Sequence, residues 1–316
     1  MQSDRRPRQG IRGPNARHSP AAMMRANVDD FVQHLKTERG LSKNTLAAYR
    51  SDLRQFESFV RKAGHSGWDV PPQVVRSFMT DLIQREYRQT SRARKLAAVK
   101  ALYRYLVSSE AVAADPTAGL DGARVTRRRP RIISTAEVER LLEQAADAST
   151  PERMRDRAML EALYATGMRV SELVGLDLED VDCWERDIVL GRDGASARTV
   201  PLTERSAEAL QAYLTNGREK LLRRVDEPAV FLNHRGSRLT RQGFWLIVKA
   251  YAQRSNIQTP ITPHTLRHSF AAHRLQGDSS VREVQKLLGH ASPATTQVYA
   301  ELARENRPRA PGGPRA

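Results

Sequence analysis

Residues 114–134 read ADPTAGLDGARVTRRRPRIIS. The stretch mixes proline, glycine and three consecutive arginines with no apolar repeat, the composition of a connecting segment rather than of a helix or strand. It splits the 316 residues into two parts, each long enough for its own core. Reading outward from this linker predicts a domain over 25–113 and another over 135–304. Residues 1–24, rich in Arg, Pro and Gly, read as a disordered basic tail, and 305–316 as a flexible C-terminal tail.

Before the linker, the pattern predicts four helices over 28–109. Residues 43–62 place Leu46, Tyr49, Leu53, Phe56 and Val60 on one stripe. Residues 71–85 open with two prolines and repeat Val75, Phe78, Met79 and Leu82, and 90–108 repeat Leu96, Val99, Tyr103 and Leu106. Spacings of three and four mark amphipathic helices, and short connections make them a bundle. The opposite faces carry Arg50, Arg54, Arg61 and Lys62, then Arg92, Arg94, Lys95 and Lys100. Such faces are either solvated or turned to a polyanion.

After the linker, helices are predicted near 135–146, 152–164, 205–223, 239–254, 263–275, 280–288 and 293–303, with a restart near Val170 after Thr166-Gly167. Between them lies IVLGRDGASARTVPL (188–202), two short strand-like runs around a turn rich in Gly, Asp and Arg. That is a hairpin signature, and its basic tip, with Arg192 and Arg198, suits a phosphate.

Composition narrows the function. The chain carries a net charge of +16, with 44 arginines against 8 lysines, which favours a polyanionic partner, nucleic acid ahead of an anionic membrane. No apolar run is long enough to cross a bilayer, and residues 1–24 lack the apolar core of a secretory leader. Cys183 is the one cysteine, so no intramolecular disulfide can form, and a reducing cytoplasm is expected.

The polar residues after the linker suggest a reaction only when taken together. ATGMRVSEL sets Arg169 after a glycine turn at the head of a helix, where a cation opposes the helix dipole unless an anion binds there. PHTLRHSF places His264, Arg267 and His268 on neighbouring faces of a helix. His264 and His268 alone would also suit zinc, but no third ligand or cysteine cluster accompanies them. LLGHASPATTQVY ends in Tyr299, nine residues after His290. Two arginines can grip one phosphodiester, histidines can bond its oxygens or move protons, and a tyrosine hydroxyl can attack phosphorus. No carboxylate cluster for Mg²⁺ is present, so arginines would supply the electrostatic stabilisation.

These three boxes resemble those of the tyrosine recombinases, the phage-integrase family, and most nearly its Xer branch. LSKNTLAAYRSDL resembles the family's N-terminal core-binding bundle, and the resemblance runs from about 28 to 303. It implies a mainly α protein of two domains. The first is a four-helix, SAM-like core-binding bundle; the second is an α+β catalytic domain with a small β-hairpin or sheet. It implies Arg169 and Arg267 as phosphate-binding arginines, Glu172 as the acid supporting the first, His264 and His290 as the box histidines, and Tyr299 as the nucleophile. It implies no cofactor and no metal.

The activity so implied is site-specific cutting and rejoining of double-stranded DNA through a 3′-phosphotyrosyl link, in a synaptic tetramer whose subunits clamp the duplex. The Xer branch adds resolution of chromosome or replicon dimers, a paralogous recombinase as partner and a DNA translocase as activator. One position departs from the family. Its hairpin carries a proton-donating lysine, where this chain has Gly191-Arg192-Asp193-Gly194 and no lysine between Lys100 and Lys220. Arginine is a poor proton donor. Three readings follow: Arg192 is an electrostatic substitute, or another subunit contributes the lysine, or the chain is a slow or silent DNA-binding accessory subunit. A type IB topoisomerase is the related-chemistry alternative.

Overall fold

The computed structural model describes residues 20–120, 129–192, 197–277, 279–290 and 292–305. The chain folds as two compact units, Met1–Arg127 and Arg128–Ala316.

The first unit is a bundle of α1 (Pro20–Arg39), α2 (Lys43–Lys62), α3 (Pro72–Gln84) and α4 (Gln89–Ser108). Helix α1 begins inside the expected 1–24 tail. Met24, 1% exposed, joins Val28, Phe31, Val32 and Leu35 in the core, so the apolar stripe reaches a turn earlier than the basic composition suggests. Proline is tolerated in a first helical turn, where its missing N–H would have no partner. The rest of that predicted tail, 1–19, lies outside the described residues, as do 306–316 at the other end. Ser42 caps α2 by accepting from the Thr45 N–H at 3.2 Å. Phe56 packs on Phe78 with centroids 5.0 Å apart, and Tyr103 donates its buried hydroxyl to Trp68 O.

The basic faces need a correction. Lys95 is buried in the bundle, where Nζ donates to Asp52 Oδ1 at 2.7 Å and Gln55 Oε1 at 2.6 Å. It is structural, and removing Asp52 would strand a buried cation at a cost of about 3–5 kcal/mol. Arg50 and Arg54 share Asp29 on α1, and Arg94 reaches Asp52. Part of the charge counted as free in the sequence is thus spoken for.

The second unit is built around α6 (Pro151–Thr166), which buries Ala158, Met159, Leu160, Ala162 and Leu163. Helix α5 (Thr135–Gln144) precedes it with a Ser134–Glu137 capping box. Gly167 ends α6 at φ 62°; a Cβ there would lie 2.1 Å from Phe270 Cδ1, so only glycine fits this turn. The single-turn α7 (Val170–Leu173) follows.

The predicted hairpin is present as β2 (Asp187–Leu190) and β3 (Arg198–Pro201), antiparallel, with Leu190 opposite Arg198. A two-residue strand that the sequence did not announce, β1 (Val181–Asp182), pairs with β2 to complete a three-stranded sheet in the order β1-β2-β3. The hairpin tip, 193–196, lies outside the described residues.

The helix predicted over 205–223 is interrupted. Helices α8 (Glu204–Ala212) and α9 (Glu219–Leu221) flank a π turn at Tyr213–Arg218. The widened turn seats Tyr213 on Phe231 (centroids 5.7 Å) and lets Arg218 donate to Ala229 O and Glu227 O. Then come α10 (Arg241–Arg254), α11 (Pro263–Gln276), α12 (Val281–Leu288) and α13 (Pro293–Glu305). Phe270, Val284, Leu288, Tyr299 and Leu302 form a small core where α11, α12 and α13 meet.

Candidate active site

A helix ends with carbonyls that have no partner within it and with the negative end of its dipole. Helix α12 fills three of these in succession with arginines from three different elements. Arg198 Nε, on β3, donates to Leu287 O at 2.8 Å. Arg267 Nη2, on α11, donates to Leu288 O at 2.7 Å. Arg169 Nη2, just before α7, donates to Gly289 O at 2.8 Å. Gly289 must be glycine for two reasons. Its φ is 62°, and a Cβ would sit 2.9 Å from the Arg198 guanidinium.

Glu172 ties two of the three together. Its Oε1 accepts from Arg169 Nη1 and Arg198 Nη1, each at 2.9 Å; its Oε2 accepts from Arg198 Nη2 at 2.9 Å and the Arg169 backbone N–H at 2.6 Å. Burial alone would raise this carboxyl, but the hydrogen bonds from Arg198 and the Arg169 N–H outweigh it and hold the pKa below the usual range. Arg267 also donates to Gly167 O. Burial, with the neighbouring Arg169, lowers its pKa to about 10; it stays charged near neutral pH. Three guanidiniums against one carboxylate leave an excess of positive charge held by rigid backbone, which suits an anion such as a phosphodiester.

Two histidines and the tyrosine border this cluster. His290 Nε2 lies 3.3 Å from Arg267 Nη2 and its Nδ1 2.9 Å from Thr296 Oγ1. Arginine can only donate, so Nε2 carries the lone pair, which assigns the proton to Nδ1, pointing at the buried Thr296. Burial, then Arg267 and Arg169, lower His290 to about 4. His268 Nδ1 lies 2.7 Å from Tyr299 Oη. Burial, then His264 and Arg267, lower His268 likewise to about 4. Burial raises the Tyr299 phenol, partly offset by Arg267. His264 is exposed, its ring 6.4 Å from that of His268.

Of the residues expected from the sequence, Arg169, Arg267, His290 and Tyr299 come together, with His264 at the margin. Arg192 does not join them. Its Nε pairs with Asp180 at 3.2 Å and its Nη2 donates to Glu179 O at 2.6 Å. The cation that the hairpin does deliver is Arg198. Strand alternation puts it on the same face as the core residue Val200, a signal that the sequence itself carries. His268, which by spacing alone could pair with His264 on zinc, is committed to Tyr299, and Thr296 orients His290.

Most of the chain has counterparts. Residues 131–306 match the Phage integrase family, and residues 28–110 match that family's N-terminal SAM-like domain. The chain belongs to the phage integrase family; it is a tyrosine recombinase. It is 46% identical over 282 residues to the tyrosine recombinase XerC of Roseiflexus sp. (strain RS-1), covering 88% of this chain and 90% of that protein. It is 39% identical over 277 residues to the tyrosine recombinase XerD of Shewanella oneidensis, covering 88% and 92%. In fold it matches the XerH site-specific recombinase, crystallised with its palindromic difH substrate after cleavage. There the TM-score is 0.71 and the identity 19%, over 92% of this chain and 96% of that one.

Proposed function

We propose that this recombinase cuts and rejoins double-stranded DNA at one specific site through a 3′-phosphotyrosyl intermediate, with Tyr299 as nucleophile. The observation that carries the reading is the convergence of Arg169, Arg198 and Arg267 on successive carbonyls at the end of α12, in the unit that also seats Tyr299. Arg169 and Arg267 would take the non-bridging oxygens of the scissile phosphate, where their fixed charge acts without reorganisation. His290 and His264 would add hydrogen bonds to the same oxygens. Arg192 would have to release Asp180 and Glu179 to approach the leaving 5′-oxygen. There it would stabilise charge while water supplies the proton.

The similarity to both XerC and XerD proteins supports an Xer-type role, resolution of chromosome or replicon dimers in the cytoplasm. Such a role calls for a synaptic tetramer, with a paralogous recombinase as partner and a DNA translocase as activator. Residues 25–113 would serve as the DNA-binding bundle, 114–134 as linker and 135–304 as catalytic domain. Among the described residues no helix is long and apolar enough to cross a membrane.

The test is a denaturing gel of the protein incubated with nicked suicide duplexes built on the genomic site it protects from nuclease. A covalent protein–DNA adduct from wild type, absent from Tyr299→Phe, is expected. No adduct on a site that the protein binds would overturn the reading and leave a DNA-binding accessory subunit.

A further inference from the structure

The phenol of a tyrosine nucleophile must lose its proton as it attacks, and the group that receives it has to touch the oxygen. Three histidines stand near Tyr299, and their nitrogens are differently occupied. His290 has both engaged, Nδ1 with Thr296 and Nε2 with Arg267. His264 is exposed and meets the cluster through the face of the His268 ring. His268 Nδ1 is 2.7 Å from Tyr299 Oη. Among the described residues it is the one hydrogen-bond partner of that oxygen, so the arrangement that leaves no buried phenol proton unpaired has O–H donating to Nδ1.

We propose that His268 is the proton acceptor for Tyr299 in strand cleavage and the proton donor to it in rejoining. The proposal rests on Tyr299 being the nucleophile. In cleavage the Oη–P bond forms as the P–O5′ bond breaks and its electron pair goes to O5′. The Oη proton passes to His268 Nδ1, leaving an imidazolium, and O5′ takes a proton from water. In rejoining the 5′-hydroxyl attacks phosphorus, the phenolate leaves, and Nδ1–H returns the proton to Oη.

The helix explains how one element supplies two functions. Consecutive residues point about 100° apart around a helix axis, so Arg267 turns to the end of α12 while His268 turns to α13. The groups facing His268 are His264 and Arg267 on its own helix, His290 before α13, and Tyr299 on α13. Together with burial they keep the free imidazole neutral at pH 7, with its lone pair available. A phosphate anion arriving against Arg267 offsets the positive field that opposes protonation, so the imidazolium becomes accessible when DNA is bound.

The experiment compares His268→Asn with His268→Ala in single-turnover adduct formation on the nicked duplexes, using the full chain at matched DNA occupancy. Asparagine can present an acceptor oxygen near the place of Nδ1 but cannot take a proton. Both variants should bind DNA as wild type does, and both should cleave about 10²–10³-fold more slowly. The His268→Asn rate should climb tenfold per pH unit as hydroxide takes over the proton. Cleavage by His268→Asn at the wild-type rate would reduce His268 to a positioning residue and overturn the proposal. So would a pH profile parallel to that of wild type. If wild type itself forms no adduct, the functional reading fails instead, and the two failures are distinguishable.

Discussion

Arg192 and Arg198 lie six positions apart around one hairpin and end in opposite circumstances. The Arg198 side chain, 7% exposed, is held by both oxygens of Glu172 and by Leu287 O. The Arg192 side chain, 47% exposed, rests on Asp180 and Glu179 at the sheet's margin. Both are arginines in a basic turn, and a residue-by-residue reading singles out Arg192 because it occupies the lysine's place. The difference teaches that the face of the strand, more than nearness to the tip, decides which cation becomes part of the site. Arg198 shares its face with Val200, packed into the core, and is drawn inward with it.

The sharpest way to break this comparison is Arg198→Ala. It leaves Leu287 O and part of Glu172 unpartnered in a buried place and should cost about 3 kcal/mol of stability. It should also deplete the covalent adduct, since Glu172 and the end of α12 lose their shared anchor. Urea unfolding of the second unit and the adduct gel measure the two; an unchanged midpoint would remove the distinction between the two arginines.

Glu172→Gln should come next, at about 1–3 kcal/mol, and its effect should depend on pH. The folded pKa of Glu172 lies below its ordinary value of 4.5, so the folded state favours the ionised form. Its contribution is therefore complete above about pH 4.5 and is lost as pH falls through the depressed folded value. The stability gap between wild type and variant should narrow from pH 6 to about pH 3. An equal gap at both ends would mean that shape, and not the carboxylate's charge, holds the arginines.

Thr296→Val keeps the shape of a fully buried residue while deleting the partner of His290 Nδ1. The loss of one hydrogen bond, about 1 kcal/mol, corresponds to roughly a fivefold slower single-turnover cleavage with DNA affinity unchanged. Arg192→Ala should have the smallest effect on folding. An exposed pair contributes about 0–1 kcal/mol, and a shift in unfolding midpoint as large as that of Arg198→Ala would reverse the comparison.

Much of this protein was legible in one dimension. The apolar stripes of α2, α3 and α4, the hairpin, and the order of Arg169, Arg267, His290 and Tyr299 all reflect short-range repeats or motif spacing. What the sequence obscured was obscured for specific reasons. Met24 sits beside a tail whose arginines mask the start of α1. Lys95 looks like its exposed neighbours until Asp52, 43 residues away, is found against it. The π turn seats Tyr213 on Phe231, a contact that no local pattern announces.

The sequence by itself determined most of the elements, the family and the residue types that chemistry on a phosphodiester needs. Only the tertiary structure decided which of them share a site. Arg198 reaches a carbonyl 89 residues away, Arg169 one 120 away, and His268 a hydroxyl 31 away. Local propensity acts over one or two helical turns, whereas the partners of a buried charge are chosen by packing. The end of α12 gathers three arginines because its orphan carbonyls meet them only once the core of the second unit has closed.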